Sequence, residues 1–196
     1  EGNREKPKIS EVIYTDWNGM MISAFVDAHY ILANEYFLRF ARKTIDFIFE
    51  NNYEKVLLHY KDAEEGFLSD YVYFINGLID MYEATDDKFY VGKANKLMEQ
   101  AIKNLFDKEK YAFRDRMKKG LGILNMFSYP LIENSLMVLN IFRLNAIDEN
   151  KKLKDLARGI LMNFSCQYRI YGTFASYFSI AVDTFLRGEK EDPLVA

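Results

Sequence analysis

The stretch GFLSDYVYFINGLIDMYEAT, residues 66–85, decides how the rest of the chain is read. Gly66 permits a sharp turn, and Ser69 or Asp70 can accept a hydrogen bond from the orphan N–H groups of the turn that follows. Tyr71, Phe74, Ile75, Leu78 and Tyr82 then recur at helical spacing, while Val72, Ile79 and Met81 lie off that stripe. Only Asp80 and Glu83 carry charge before the end at residues 85–87. A helix that is apolar round most of its circumference is buried on more than one side. The spacing predicts an inner helix.

The design recurs on both sides of this stretch. Thr15, Asp16 and Asn18 offer cap residues ahead of a broad apolar face of Trp17, Met20, Met21, Ala24, Phe25, Ala28, Ile31 and Leu32. Residues 133–146 and 172–186 read as a third and a fourth apolar helix. Between them lie amphipathic helices at residues 35–51, 88–106 and 151–164, each with one charged face. In the first of these the apolar face is Phe37, Phe40, Ala41, Thr44, Ile45 and Ile48. The segments FLRFARK, YVGKANK and LKDLARG align on Ala41, Ala94 and Ala157, an internal repeat in which a small residue lets an outer helix approach an inner one. Residues 56–60 are expected as a short strand, and residues 107–129 as a long excursion with one or two more. The predicted fold is all-α, an incomplete α/α toroid of seven helices: three inner–outer hairpins plus one inner helix. Residues 1–12 and 189–196 are expected as tails around a domain at 13–188.

Composition fits this reading. The chain has 196 residues, 49% apolar and 28% charged, with only three prolines. That is enough for one substantial core, or two small ones. A net charge of −3 offers nucleic acid no general attraction. The longest uncharged stretches, such as residues 170–182, fall short of the ~20 residues a membrane-spanning helix needs. One cysteine, Cys166, forbids an internal disulfide and suits a reducing, cytoplasmic setting, where it is expected as a small core residue. The chain begins at Glu1 without methionine, as expected of a processed product or a piece of something longer.

Residues 15–19 (TDWNG), 57–62, 66–71 (GFLSDY) and 82–85 (YEAT) carry a resemblance. The chain resembles the C-terminal helical half of thioredoxin-domain-containing proteins related to a spermatogenesis-associated protein. The resemblance implies a six-hairpin α/α toroid, similar to those of glycoside hydrolases and N-acylglucosamine 2-epimerases. That family usually has Asp-Asp-Tyr where this chain has Ser69-Asp70-Tyr71, and Pro-Ser-Gly-Asn-Ser where it has Leu-Ile-Glu-Asn-Ser at 131–135. No Cys-x-x-Cys is present, so thioredoxin chemistry is not expected of these residues.

Alternate helices of a toroid run the same way, so the starts at Asp16–Asn18, Ser69–Tyr71 and Glu133–Ser135 should meet at one rim. Helix N-termini present free N–H groups and partial positive charge, which suit hydroxyl-rich or anionic ligands. There Trp17 and Tyr71 are candidates for stacking on a sugar face, and Asp70 and Glu133 for the general acid and base of glycosidic cleavage. Asp16, Asn18, His59 and Asn134 complete the candidate substrate-binding set. The competing reading makes the polar members caps and the aromatic ones core. His29 and His59 do not amount to a metal site, and no cofactor is expected. A sugar ligand is the expected partner if the rim binds one. A non-catalytic interaction domain is the alternative. An open arc would leave Trp17, Met21, Phe25, Phe174, Tyr177, Phe178 and Phe185 exposed in part, and a homo-oligomer or a missing part of the toroid is expected to cover them.

Overall fold

A computed structural model describes residues 10–190; of the expected tails at 1–12 and 189–196, residues 1–9 and 191–196 lie outside the described residues. Seven α-helices form among the described residues: α1 (Thr15–Leu32), α2 (Glu35–Asn51), α3 (Leu68–Thr85), α4 (Lys88–Leu105), α5 (Leu131–Ile147), α6 (Lys151–Phe164) and α7 (Ser176–Lys190). Strands β1 (Phe106–Asp107) and β2 (Ala112–Phe113) make one small antiparallel hairpin, with Phe106 opposite Phe113. The helices α1, α3, α5 and α7 pack in series, each against the next, while α2, α4 and α6 cover α1, α3 and α5 from outside. Among the described residues no comparable packing joins α7 back to α1. The result is an arc of an α/α toroid with two open edges. No helix in it is long and apolar enough to cross a membrane.

The central helix is α3. Leu68, Tyr71, Val72, Phe74, Ile75, Leu78, Ile79 and Met81 are all fully buried, as expected of a helix with neighbours on both flanks and one outside. The outer helices are amphipathic, and their repeat alanines Ala41, Ala94 and Ala157 are each fully buried at the contact with the inner layer. Their starts are capped locally, by Asn34 on Tyr36 N–H, Asp87 on Phe89 N–H and Asn150 on Lys152 and Leu153 N–H.

Several expectations need correction. The face that α1 buries is Thr15, Gly19, Ile22 and Val26, so most of the bulkier face read from hydrophobicity points outward; Trp17 and Met21 are exposed, as expected at the edge of an open arc, and Met20, Ile31 and Leu32 are exposed with them. The reason is steric. A side chain built at Gly19 would lie 2.6 Å from the carbonyl carbon of Tyr73, and one at Gly77 would lie 2.9 Å from Ile22, so α1 and α3 touch backbone to backbone. On α2, Leu38 is buried and Phe40 exposed. Residues 56–60 are not a strand: a single bridge pairs Tyr53 with Leu57, and the rest is a hydrogen-bonded loop. The fourth apolar helix is divided: Gly172, at φ +55°, kinks the chain inside the 3-10 segment Tyr168–Ala175, and α7 begins only at Ser176. Phe178 is consequently buried rather than exposed, and Cys166 is exposed rather than in the core.

The glycine contact gives a direct test. Gly19→Ala meets backbone atoms that cannot rotate away, so it should destabilise by ~1–3 kcal/mol. Gly92→Ala, on the open face of α4 with nothing within 4 Å, should stabilise by ~0.5–1 kcal/mol. Urea unfolding measures both, and equal stability of Gly19→Ala and the parent chain would refute the close approach.

Candidate functional site

The helices α1, α3 and α5 lack a side-chain cap at their own N-cap residues, which are Tyr14, Phe67 and Pro130. Their first turns are satisfied from elsewhere in the fold. Asp70, in the first turn of α3 and 0% exposed, does most of this. Its Oδ1 accepts the backbone N–H of Asp16 at 3.0 Å, and its Oδ2 accepts that of Phe67 at 2.7 Å. His59 Nδ1 lies 3.0 and 3.1 Å from the same two oxygens. Asp70 is therefore a cap for two helices at once.

The loop that carries His59 is held equally firmly. Its carbonyl accepts Thr15 N–H at 2.9 Å, and Leu58 O accepts the Thr15 hydroxyl at 2.6 Å. Asn52, buried, donates to both Thr15 Oγ1 and Ile13 O at 3.0 Å. The His59 ring packs against Tyr14 and Phe67, with centroids 4.9 and 4.8 Å away. The hydrogen bond to Asp70 raises the His59 pKa above its ordinary value, against the opposing effect of its partial burial. Burial pushes the Asp70 carboxyl up, while the bonds from His59 and Phe67 hold it down. Asp16, His59 and Asp70 also place donor atoms within 4.8 Å of one another, close enough to share a metal ion. Both Asp70 oxygens are already accepting backbone N–H bonds, so the group reads as a hydrogen-bond hub.

Beside the hub, the starts of α3 and α5 open into one cleft of about 270 Å3, lined by Phe67, Leu68, Ser69, Asp115, Arg116, Pro130 and Glu133. Asp115 is fixed there by exchanging backbone and side-chain bonds with Ser128 and by accepting Leu68 N–H at 2.9 Å. Arg116 pairs with it at 2.6 Å. The following backbone N–H groups of Met117 and Lys118 donate to Glu65. Ser69 links the cleft to the hub, its hydroxyl donating to Asp16 at 3.1 Å. Tyr73, one turn further along α3, sits within electrostatic reach of Glu133, Tyr177 and Asp16, and burial raises its phenol pKa.

The rim therefore gathers Asp16, His59, Asp70 and Glu133 at one end of the arc, but only Glu133 lines the cleft. Asp70 is enclosed beside it. Tyr71 is fully buried in the core, which pushes its phenol up to about 12. Asn134 is also fully buried and clamps the backbone of Phe113, accepting its N–H at 2.7 Å and donating to its carbonyl at 3.0 Å. Asn18 donates locally to Tyr14 O. Trp17 is 62% exposed, packs edge-on against Tyr14, and does not line the cleft. His29 stands 3.3 Å from the Asn34 carbonyl at the far end of α1. Sequence reasoning missed Phe67, Tyr73, Asp115 and Arg116. The aromatic residues belonged to a stretch read as core, and the charged pair lies in an excursion with no periodicity.

The hub makes stability depend on pH with a defined sign. A raised His59 pKa means that its contribution is fully present below 6.5, the ordinary histidine value, and is lost as pH rises through the folded-state value above it. Thermal melts between pH 6 and 8.5 should show the parent chain losing more stability than His59→Gln. Parallel pH profiles would contradict the pairing. Asp70→Ala leaves two backbone N–H groups and His59 without their acceptor, and should cost about 3 kcal/mol or more.

Comparison with known proteins follows from this architecture. No family model matches the chain. In sequence it is similar to human Spermatogenesis-associated protein 20, at 22% identity over 85% of this chain and 24% of that protein. In structure it is similar to a family 76 glycoside hydrolase α-mannanase of Bacteroides thetaiotaomicron, with a TM-score of 0.71 at 15% identity, over 96% of this chain and 55% of that one. An inactive variant of an α-1,6-mannanase of Salegentibacter sp., in complex with α-1,6-mannotetrose, gives 0.67 at 10% identity, over 78% and 47%. A cellobiose 2-epimerase of Bacillus thermoamylovorans gives 0.67 at 13%, over 92% and 61%. The chain thus spans about a quarter of the curated relative and roughly half of the solved structures. At such identities the structures speak for the fold alone. The chain is an arc of an α/α toroid, the fold of those solved structures, and is similar in sequence to a portion of Spermatogenesis-associated protein 20.

Proposed function

We propose that the chain is a carbohydrate-binding helical domain that holds a sugar without cleaving it, in the cleft between the starts of α3 and α5. The observation that carries the reading is the composition of that cleft. Glu133, Asp115 and the hydroxyl oxygen of Ser69 supply acceptors for hydroxyl groups, Arg116 supplies donors, and the half-exposed ring of Phe67 offers a face for the C–H side of a pyranose. Its volume of about 270 Å3 lies just below the ~300–1,000 Å3 of sites for drug-sized ligands, and suits one or two sugar units. The toroids of similar fold include a mannanase and an epimerase, which supports the ligand class.

Cleavage is left out of the proposal for a chemical reason. Glycosidic hydrolysis needs two carboxyl groups facing the scissile bond from opposite sides. Of the candidate pair, Asp70 is enclosed and bonded through both oxygens, and the second carboxylate on the cleft wall beside Glu133, Asp115, is itself engaged through both oxygens, by Ser128 N–H and by Arg116. The inactive α-1,6-mannanase variant carries substitutions at two consecutive aspartates. The only consecutive aspartates in this chain are Asp86 and Asp87, at the opposite end of α3. The single cysteine keeps a reducing, cytoplasmic setting as part of the same proposal.

Titration of the labelled chain with mannose and α-1,6-mannotetraose, followed by amide NMR, tests this reading. Shifts should cluster at residues 67–69, 115–116 and 131–133, and Glu133→Gln should weaken binding by about tenfold, a loss of ~1.4 kcal/mol. No reducing ends should appear on long incubation. Absence of shifts at millimolar sugar would end the binding reading, and released reducing ends would end the non-catalytic one.

A further inference from the structure

Four aromatic rings stand in a row across the starts of α1 and α3. Their order is Phe67, His59, Tyr14 and Trp17, and successive ring centroids lie 4.8, 4.9 and 5.1 Å apart. Tyr60 flanks the middle of the row, 5.9 Å from His59 and 6.0 Å from Tyr14. Much of this surface is open: Trp17 is 62% exposed and Phe67 38%, and Tyr14 and His59 are partly buried. A contiguous exposed aromatic surface of this kind marks a place where something binds.

We propose that the row extends the sugar cleft, so that its ligand is a linear oligosaccharide rather than a single sugar. The inference rests on the sugar-binding reading of that cleft. Phe67 carries the argument, because it both lines the cleft and begins the row. A chain seated beside Glu133 is thereby led past His59 and Tyr14 to Trp17. Each step between centroids is close to the length of one pyranose unit in such a chain. The chemistry of the rings argues for this occupant over an apolar one. Their faces suit the C–H sides of sugar units, while the Trp17 indole N–H and the Tyr14 and Tyr60 hydroxyls can bond sugar hydroxyls. Asp70 takes up His59 Nδ1, which leaves Nε2 for a ligand. An apolar partner would bury these groups without partners, at a cost; a polyol satisfies them.

The row is held from beneath before a ligand arrives. Tyr14 and Phe67 are the N-cap residues of α1 and α3. Asp70 accepts Phe67 N–H and faces the His59 ring, while the His59 carbonyl accepts Thr15 N–H. Trp17 follows through its backbone N–H, which donates to Asp16 at 2.8 Å. The hub thus fixes the backbone that carries all four rings, and this lowers the ordering cost of binding.

Trp17 is the single tryptophan of the chain, so intrinsic fluorescence reports the far end of the row directly. Titration with α-1,6-mannotetraose should shift the emission, whereas mannose, held in the cleft, should leave it unchanged. By calorimetry the tetrasaccharide should bind about tenfold tighter than mannose or better. Trp17→Ala changes an exposed side chain, so it should keep its helical circular dichroism and its affinity for mannose while losing most of that gain. Trp17→Phe should restore it. Mannose bound at the cleft, with the tetrasaccharide within a few-fold of it and Trp17 silent, would overturn the extended site and leave the cleft reading standing. A gain that survives Trp17→Ala, or an emission change without amide shifts at residues 131–133, would also overturn it. Failure of both sugars to bind would end the two readings together.

Discussion

The arrangement turns on one buried carboxylate. Asp70 has no exposed surface, and a charge taken out of water is tolerated only where partners replace the lost hydration. Here the partners are the first N–H groups of two helices and the ring of His59. Each is a group that would otherwise lack an acceptor, so the burden of burying the charge and the burden of ending two helices are relieved together. The same contacts fix the spacing of α1 and α3 at the rim, where the Gly19–Gly77 contact sets it lower down. They also fix the loop at residues 57–66, which passes between the helix starts and holds both through Thr15 and Phe67.

That constraint shapes what the rim can do. Four of the candidate residues gather at the starts of the inner helices. The hub uses Asp70 for architecture, and the open cleft next to it is finished by Asp115 and Arg116 from the excursion after the β-hairpin. Its walls carry two carboxylates, Glu133 and Asp115, of which Asp115 is bonded to Ser128 and Arg116. The opposite region of the inner face carries a second polar lock, in which Arg143 of α5 bonds Asn76, Asp80 and Glu83 of α3. Polar residues along the concave side of α3 thus serve first to join the inner helices.

The sequence made much of this legible. The all-round apolarity of residues 68–81 identifies the central helix, and the repeated alanines at 41, 94 and 157 locate the contacts between the two layers. Hydrophobicity failed on α1, where both flanks are apolar and only glycine reveals which one meets a backbone. Gly19 was the available signal, since a glycine inside a helix is costly unless something approaches it. Asp70 was legible as a cap but not as a shared one, because the second helix it caps lies 54 residues earlier in the chain. Asn134 and Tyr71 looked like rim residues by register, yet one clamps the backbone of β2 and the other faces the core. The cleft wall from Asp115 and Arg116 had no local pattern to announce it.

Amide hydrogen exchange on Asp70→Ala, which removes both acceptor oxygens, tests the central role of that carboxylate most directly. If Asp70 caps both helices, the amides of Asp16 and Phe67 should lose protection together, although they lie on different helix starts, while Phe113, held by Asn134, keeps its own. Unchanged exchange at Asp16 and Phe67, in a folded variant, would contradict the account.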